Sequence, residues 1–215
     1  MIKHLPNFIT CLNLVAGSAG VYYTLIIDEQ KAIYFVLLGA FFDVFDGLVA
    51  RLLKVSSEIG KQLDSLADLI TFGLLPSFYL LKLLEPQTPL FWIAILIAVF
   101  SALRLAKFNI DESQSDSFKG LPTPANAIMI TSLVFVPFDL GTYALISITV
   151  LSCVLLVSNL PLLALKFKSF GWSGNESRWI LIGGVIILAI VLQWTFLPLL
   201  VPYYIGVSLI SGVKK

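Results

Sequence analysis

Histidine occurs once in these 215 residues, cysteine and methionine twice each, and charged side chains make up only 13% of the chain. So little imidazole and thiol leaves no ligand set of the kind zinc prefers. Cys11 and Cys153 show no CxxC spacing and both sit in apolar segments, which reads as two buried, inert thiols that do not report on redox compartment. A formal net charge of +1, with no basic run interleaved with aromatics, sets nucleic acid aside as a partner. Internal repeats, low-complexity tracts and long linkers are missing too. The largest deficit is in polar sequence: 58% of the residues are hydrophobic and the mean hydropathy is +0.95, outside the range of soluble domains. Residues 1–215 read as one integral-membrane domain.

Segments of about 20 apolar residues, shorter inside a bundle, fall near 7–27, 32–53, 61–84, 89–109, 123–137, 139–159, 176–193 and 196–213. The expected fold is therefore all-α, a polytopic bundle of about eight transmembrane helices. Pro122, Pro124 and Pro137 bracket the short fifth segment. The first segment is expected to be a retained helix and not a cleaved signal, because Asn7, Thr10 and Asn13 interrupt it and no Ala-x-Ala site follows. With both termini inside, 12 of the 14 Lys and Arg residues gather on the cytoplasmic side, and only Lys31 and Lys82 lie nearer the other face. The longest polar stretch, Asp111 to Lys119, is expected as a mobile loop on that cytoplasmic side.

Against this background four acids stand out. Asp43 and Asp46 end one apolar segment, and Asp64 and Asp68 open the next. An aspartate at the centre of a membrane helix costs about 2.5–3.5 kcal/mol on insertion scales, so four need compensation, most simply from bound cations. On helices, Asp43, Asp46, Gly47 and Ala50 share one face, as do Gly60, Asp64 and Asp68. Two such helices packed antiparallel across a short turn bring the carboxylates together, and a dense set of oxygen ligands suits Mg²⁺ or Mn²⁺. A pair of such ions clamps phosphate oxygens in displacements at phosphorus. Gly47, Ala50 and Gly60 remove bulk so that a diphosphate or nucleotide can approach the backbone, and Arg51 offers a planar fork for phosphate. Asn7, Thr10, Asn13 and Gly17 form a polar face on the first helix, open to two readings: helix packing or ligand contact. A cation pathway is the other use of intramembrane acids, but it has no need of Arg51 or the small residues.

Taken together, Asp43-x2-Asp46-Gly47-x2-Ala50-Arg51-x8-Gly60-x3-Asp64-x3-Asp68 resembles the complete signature of the CDP-alcohol phosphotransferase family, over residues 43–68. The resemblance implies a core of six helices, a homodimer, and displacement of CMP from a CDP-linked lipid by the hydroxyl of a second substrate. It implies that Asp43, Asp46 and Asp64 hold divalent metal, Mg²⁺ or Mn²⁺ in a two-metal site. Asp68 would assist in metal binding and serve as the catalytic base. Gly47, Ala50, Arg51 and Gly60 would line the CDP pocket, with Asn7 and Thr10 as further candidates beside it.

The region 101–126 narrows the acceptor. Ser101 to Asn109 and Phe118 to Ala125 resemble stretches of bacterial-type CDP-diacylglycerol–serine O-phosphatidyltransferases, although Lys107 stands where arginine is common and Asn126 where a small alanine is common. Arg104 and Lys119 are the acceptor-binding candidates, and the rigid Gly120-Leu121-Pro122-Thr123-Pro124 turn would aim Lys119 into the site. The expected reaction joins CDP-diacylglycerol and L-serine to give phosphatidylserine and CMP. The resemblance places it in the bacterial cytoplasmic membrane, with the active site facing the cytoplasm. Glycerol 3-phosphate and an inositol-type acceptor are the alternatives within the family; a cation transporter is the alternative outside it.

Overall fold

The structure is a computed structural model and describes residues 4–55, 57–110, 118–163, 171–172 and 175–211. Its helical spans are α1 (Leu5–Ile27), α2 (Glu29–Leu53), α3 (Glu58–Leu84), α4 (Pro89–Ile110), α5 (Thr123–Phe135), α6 (Thr142–Val157), α7 (Glu176–Leu192) and α8 (Leu197–Ile210). Eight apolar segments are thus eight helical segments, with ends displaced by a few residues. Among the described residues five helical stretches are long and apolar enough to cross a membrane, the α7–α8 pair counted as one continuous stretch. A 3₁₀ turn at Gln193–Phe196, where Gln193 takes φ 50°, divides that pair. The only strands among the described residues are β1 (Phe118–Lys119) and β2 (Pro161–Leu162), an antiparallel pair matching Phe118 with Leu162 and Lys119 with Pro161. The expected loop at 111–119 falls mainly on residues 111–117, which lie outside the described set.

Apolar packing centres on α3. Phe72, Leu75, Tyr79, Leu80 and Leu84 are sealed from the surface and join Val36 of α2, Ile97 of α4, Ala127 and Ile130 of α5, and Leu145 of α6. Burial of such side chains stabilises by about 1.5–3 kcal/mol each in water, but between lipid-solvated helices the gain comes mainly from close packing. Cys153 belongs to this core, whereas Cys11 is exposed on α1, which corrects the expectation of two buried thiols. The reason is physical: an apolar helix in a membrane keeps an apolar outer face, and Phe8 and Val15 are exposed on α1 as well.

Local chemistry sets the approach to the acids. Lys54 caps α2 in the left-handed conformation (φ 52°), and the Val55 amide donates to the Ala50 carbonyl at 3.0 Å, as in a Schellman-type end. Ser57 then starts α3, its Oγ accepting from the Gly60 amide at 3.0 Å. Below Asp68 the helix widens into a π-helical turn over Leu69–Leu74 before Pro76. Proline there cannot donate to the Phe72 carbonyl and would crowd it, so the wider turn relieves the conflict just after the last aspartate.

One feature of the packing differs from expectation. The Asp-bearing turns of α2 and α3 do not mesh directly as a tight antiparallel pair; α1 packs extensively along α2 and against the first half of α3, and links the two. Mutual repulsion of carboxylates opposes closer approach of α2 and α3 at this level.

Candidate metal and nucleotide site

Carboxylate oxygens of Asp43, Asp64 and Asp68 all lie within 4.8 Å of one another. Asp46, the fourth acid expected there, is not among these three; its Oδ2 accepts a 2.6 Å hydrogen bond from Thr10 Oγ1 of α1. Asp68 Oδ1 accepts from Asn13 Nδ2 at 3.2 Å. Asp46 and Asp68 are buried, Asp43 and Asp64 half-buried. Among the described residues no Lys or Arg pairs with any of the four; the two ion pairs present are Lys31 with Asp28 and Lys82 with Glu85. Asp64 Oδ1 is buried with no hydrogen-bond partner among the described residues. An all-carboxylate centre with an orphaned oxygen and no direct ion pair, the buried Arg104 acting on Asp68 only from a longer distance, fits hard divalent cations and does not fit a soft metal.

The small residues divide into two kinds. A Cβ added at Gly47 would meet nothing within 4 Å, so its backbone is open to an incoming group. Arg51 is exposed, its Nε donating to the Gly47 carbonyl at 2.9 Å, which keeps the guanidinium beside that opening. At Gly60 the corresponding space is taken: a Cβ would stand 3.0 Å from Asn7 Oδ1 and 3.0 Å from Ser57 Oγ. Gly60 and Asn7 are thus in contact with each other, joining α1 to the start of α3. Ala50 is half-buried on the Asp46 side of α2.

On the α4 and α5 side, Arg104 is buried and its Nη1 is 3.5 Å from Thr123 Oγ1, while its Nε has no hydrogen-bond partner among the described residues. Asn126, one turn after Thr123, is 0% exposed and neither end of its amide is paired among the described residues. Lys107 is exposed and donates to Asn159 Oδ1 at 3.2 Å, so it fastens α4 to the end of α6. Lys61 Nζ donates to the Asn109 carbonyl (2.8 Å) and Asn109 Nδ2 to Ser65 Oγ (2.8 Å), tying α3 to α4 on the rim. The backbone of Lys119 lies in β1; its side chain is outside the described set. Gly120 (φ +75°) fits as glycine because a Cβ would press on the Ser158 and Leu156 carbonyls at 2.7 and 2.9 Å.

Sequence reasoning placed Asn13 on the polar face of α1 but assigned it no site role, and it missed Thr71. Thr71 Oγ1 donates to the Asn13 carbonyl at 3.1 Å, and its side chain fills the space over both Gly17 and Gly39. The one available signal was polarity inside an apolar run.

The profile of the CDP-alcohol phosphatidyltransferase family matches residues 3–158, which holds every acid of the cluster and the helices that carry them. The chain belongs to this family. A CDP-diacylglycerol–serine O-phosphatidyltransferase of Bacillus subtilis is 33% identical over 184 residues, covering 83% of this chain and 99% of the relative. One from Helicobacter pylori (strain 26695) is 33% identical over 220 residues, covering 98% of this chain and 90% of the relative. A third, from Mycobacterium leprae, is 32% identical over 75% of this chain and 58% of the longer relative. In this CDP-alcohol phosphatidyltransferase the matched region ends at α6, so α7 and α8 stand outside it.

Proposed function

We propose that the protein transfers a phosphatidyl group from CDP-diacylglycerol to the hydroxyl of L-serine, giving phosphatidylserine and CMP. The observation that carries the reaction class is the convergence of Asp43, Asp64 and Asp68, with Asp46 beside them, next to the open backbone of Gly47. The serine acceptor rests on the names of the relatives and on the Arg104 to Ala125 segment. Asp43, Asp46, Asp64 and Asp68 are the residues that would hold Mg²⁺ or Mn²⁺, and two such ions, when bound, would neutralise diphosphate charge.

The chain's own groups then account for the rest. Gly47 admits the diphosphate of the CDP-lipid close to α2, Arg51 pairs with phosphate oxygen, and Ala50 completes the nucleotide wall, whereas Gly60 serves the contact of α3 with Asn7 of α1. Asp68 accepts the proton as the serine oxygen forms its bond to the lipid-linked phosphorus, while the bond from that phosphorus to the CMP oxygen breaks. Arg104, buried and with an Nε unpaired among the described residues, binds the acceptor carboxylate, and Lys119 is the second acceptor-binding residue. The bias of Lys and Arg in the sequence toward the acid-bearing side supports a cytoplasmic active site with both termini inside, and the bacterial relatives favour a bacterial inner membrane. A homodimer is the assembly this family resemblance favours.

The test is CMP release by purified protein with CDP-diacylglycerol and Mg²⁺ or Mn²⁺, comparing L-serine, glycerol 3-phosphate and myo-inositol. Release with serine alone is expected. Release only with another acceptor would keep the reaction class and overturn the acceptor; metal-driven ion flux without CMP release would favour a transporter.

A further inference from the structure

We infer that Thr10 and Asn13 of α1, both outside the 43–68 signature, are positioning residues that hold Asp46 and Asp68 in place for cation binding. The proposal rests on the metal-site reading above and goes beyond it. Three observations lead to it. Thr10 and Asn13 are one turn apart on α1, are buried, and each donates to one aspartate on a different helix, Asp46 on α2 and Asp68 on α3. Direct packing between the Asp-bearing turns of α2 and α3 is weak, so α1 is the element that spaces the two walls. The donors are themselves fixed: Thr10 Oγ1 also lies 3.1 Å from its own Pro6 carbonyl, and Asn13 accepts from Thr71 where α1, α2 and α3 meet at Gly17 and Gly39.

The electrostatic logic is direct. Converging carboxylates repel one another, and a cation must find them already near its preferred geometry. A neutral donor on a rigid helix can orient a carboxylate without competing with the metal for charge. Each contact occupies one oxygen, Asp46 Oδ2 or Asp68 Oδ1, and the other oxygen of each carboxylate is not used by it. Outer partners of this kind, when removed from metal ligands, typically weaken metal affinity or activity by roughly 10–100-fold. Thr10 was a candidate for direct nucleotide contact; the inference gives it the positioning of Asp46 instead.

The experiment is Mn²⁺ binding to the purified, substrate-free protein, read by electron paramagnetic resonance, for wild type, Thr10→Val, Thr10→Ser and Asn13→Leu, together with kcat and both KM values. The expected result is Mn²⁺ affinity lowered roughly 10–100-fold in Thr10→Val and Asn13→Leu, with kcat falling and KM for serine unchanged. Thr10→Ser, which keeps the hydroxyl, should stay near wild type and also reads the hydroxyl if the valine variant does not fold. Unchanged Mn²⁺ affinity in a folded Thr10→Val protein with a raised KM for CDP-diacylglycerol would assign Thr10 to the nucleotide and overturn the inference. So would Thr10→Ser binding Mn²⁺ as weakly as the valine variant, because packing of the methyl would then be the cause. A wild type that binds no Mn²⁺ yet releases CMP would overturn this inference alone; one that does neither would remove the proposed function as well.

Discussion

Replacing Gly47 with alanine separates stability from function more cleanly than any change to an aspartate. In a helix interior, Gly→Ala stabilises by roughly 0.8–1 kcal/mol, because alanine loses less backbone entropy on folding. At most glycines of this bundle that gain would be lost to a clash: a methyl at Gly17 or Gly39 would run into Thr71, and overpacking costs roughly 1–3 kcal/mol. At Gly47 nothing lies within 4 Å, so the folded protein has room for the methyl and the full gain should appear. The opening is proposed to admit the nucleotide diphosphate. A methyl there intrudes on the ligand and should cost about 1–3 kcal/mol of binding, roughly 5–150-fold in KM for CDP-diacylglycerol. Thermal unfolding in detergent and steady-state CMP release read the two quantities independently. A Gly47→Ala protein at least as stable as wild type, with KM for the CDP-lipid raised and KM for serine unchanged, is the expected result. An unchanged KM for the CDP-lipid would refute the assignment of that opening to the nucleotide.

Three other outcomes are expected. Asp68→Asn should still bind CDP-diacylglycerol in a pull-down or calorimetric assay while CMP release drops at least about 100-fold, in the range general-base removal typically produces; full-rate turnover would take Asp68 out of the base role. Chelation with EDTA should abolish CMP release and added Mg²⁺ or Mn²⁺ should restore it, whereas activity that persists in chelator would contradict the metal assignment. Gly120→Ala should lower thermal stability by roughly 1–3 kcal/mol, since alanine is forced to φ +75° against the carbonyls that end α6, and a stability equal to wild type would show that the turn can rearrange.

Much of this protein was legible from hydropathy and spacing. Eight apolar runs became eight helical segments because a membrane helix satisfies its own backbone and needs little else from its sequence. Helical periodicity put Asp43 with Asp46 on one face and Asp64 with Asp68 on another, and packing of the two helices was expected to join all four; Asp43, Asp64 and Asp68 meet, while Asp46 is outside that trio and bonded to Thr10. Contacts between helices were not legible. Asn13 and Asp68 are 55 residues apart, and no local pattern specifies that α1 comes between the walls of the site. The π-helical turn at Leu69–Leu74 follows from Pro76, but proline predicts a disturbance without its form. Cys11 shows the limit of hydrophobicity as a guide to burial, because in lipid the outside of a helix is as apolar as the inside. Gly60 shows a similar limit: the sequence marks a missing side chain, and only the structure reveals that Asn7 and Ser57 fill the space.

The central claim is that a serine hydroxyl attacks the lipid-linked phosphorus beside Asp68, and L-serine labelled with ¹⁸O in its hydroxyl tests it most directly. With CDP-diacylglycerol, purified protein and Mg²⁺ or Mn²⁺, mass spectrometry should find phosphatidylserine that carries the heavy oxygen in its serine–phosphate bridge, and unlabelled CMP in equal amount. Phosphatidylserine without the label, or CMP released with no phosphatidylserine formed, would contradict the account.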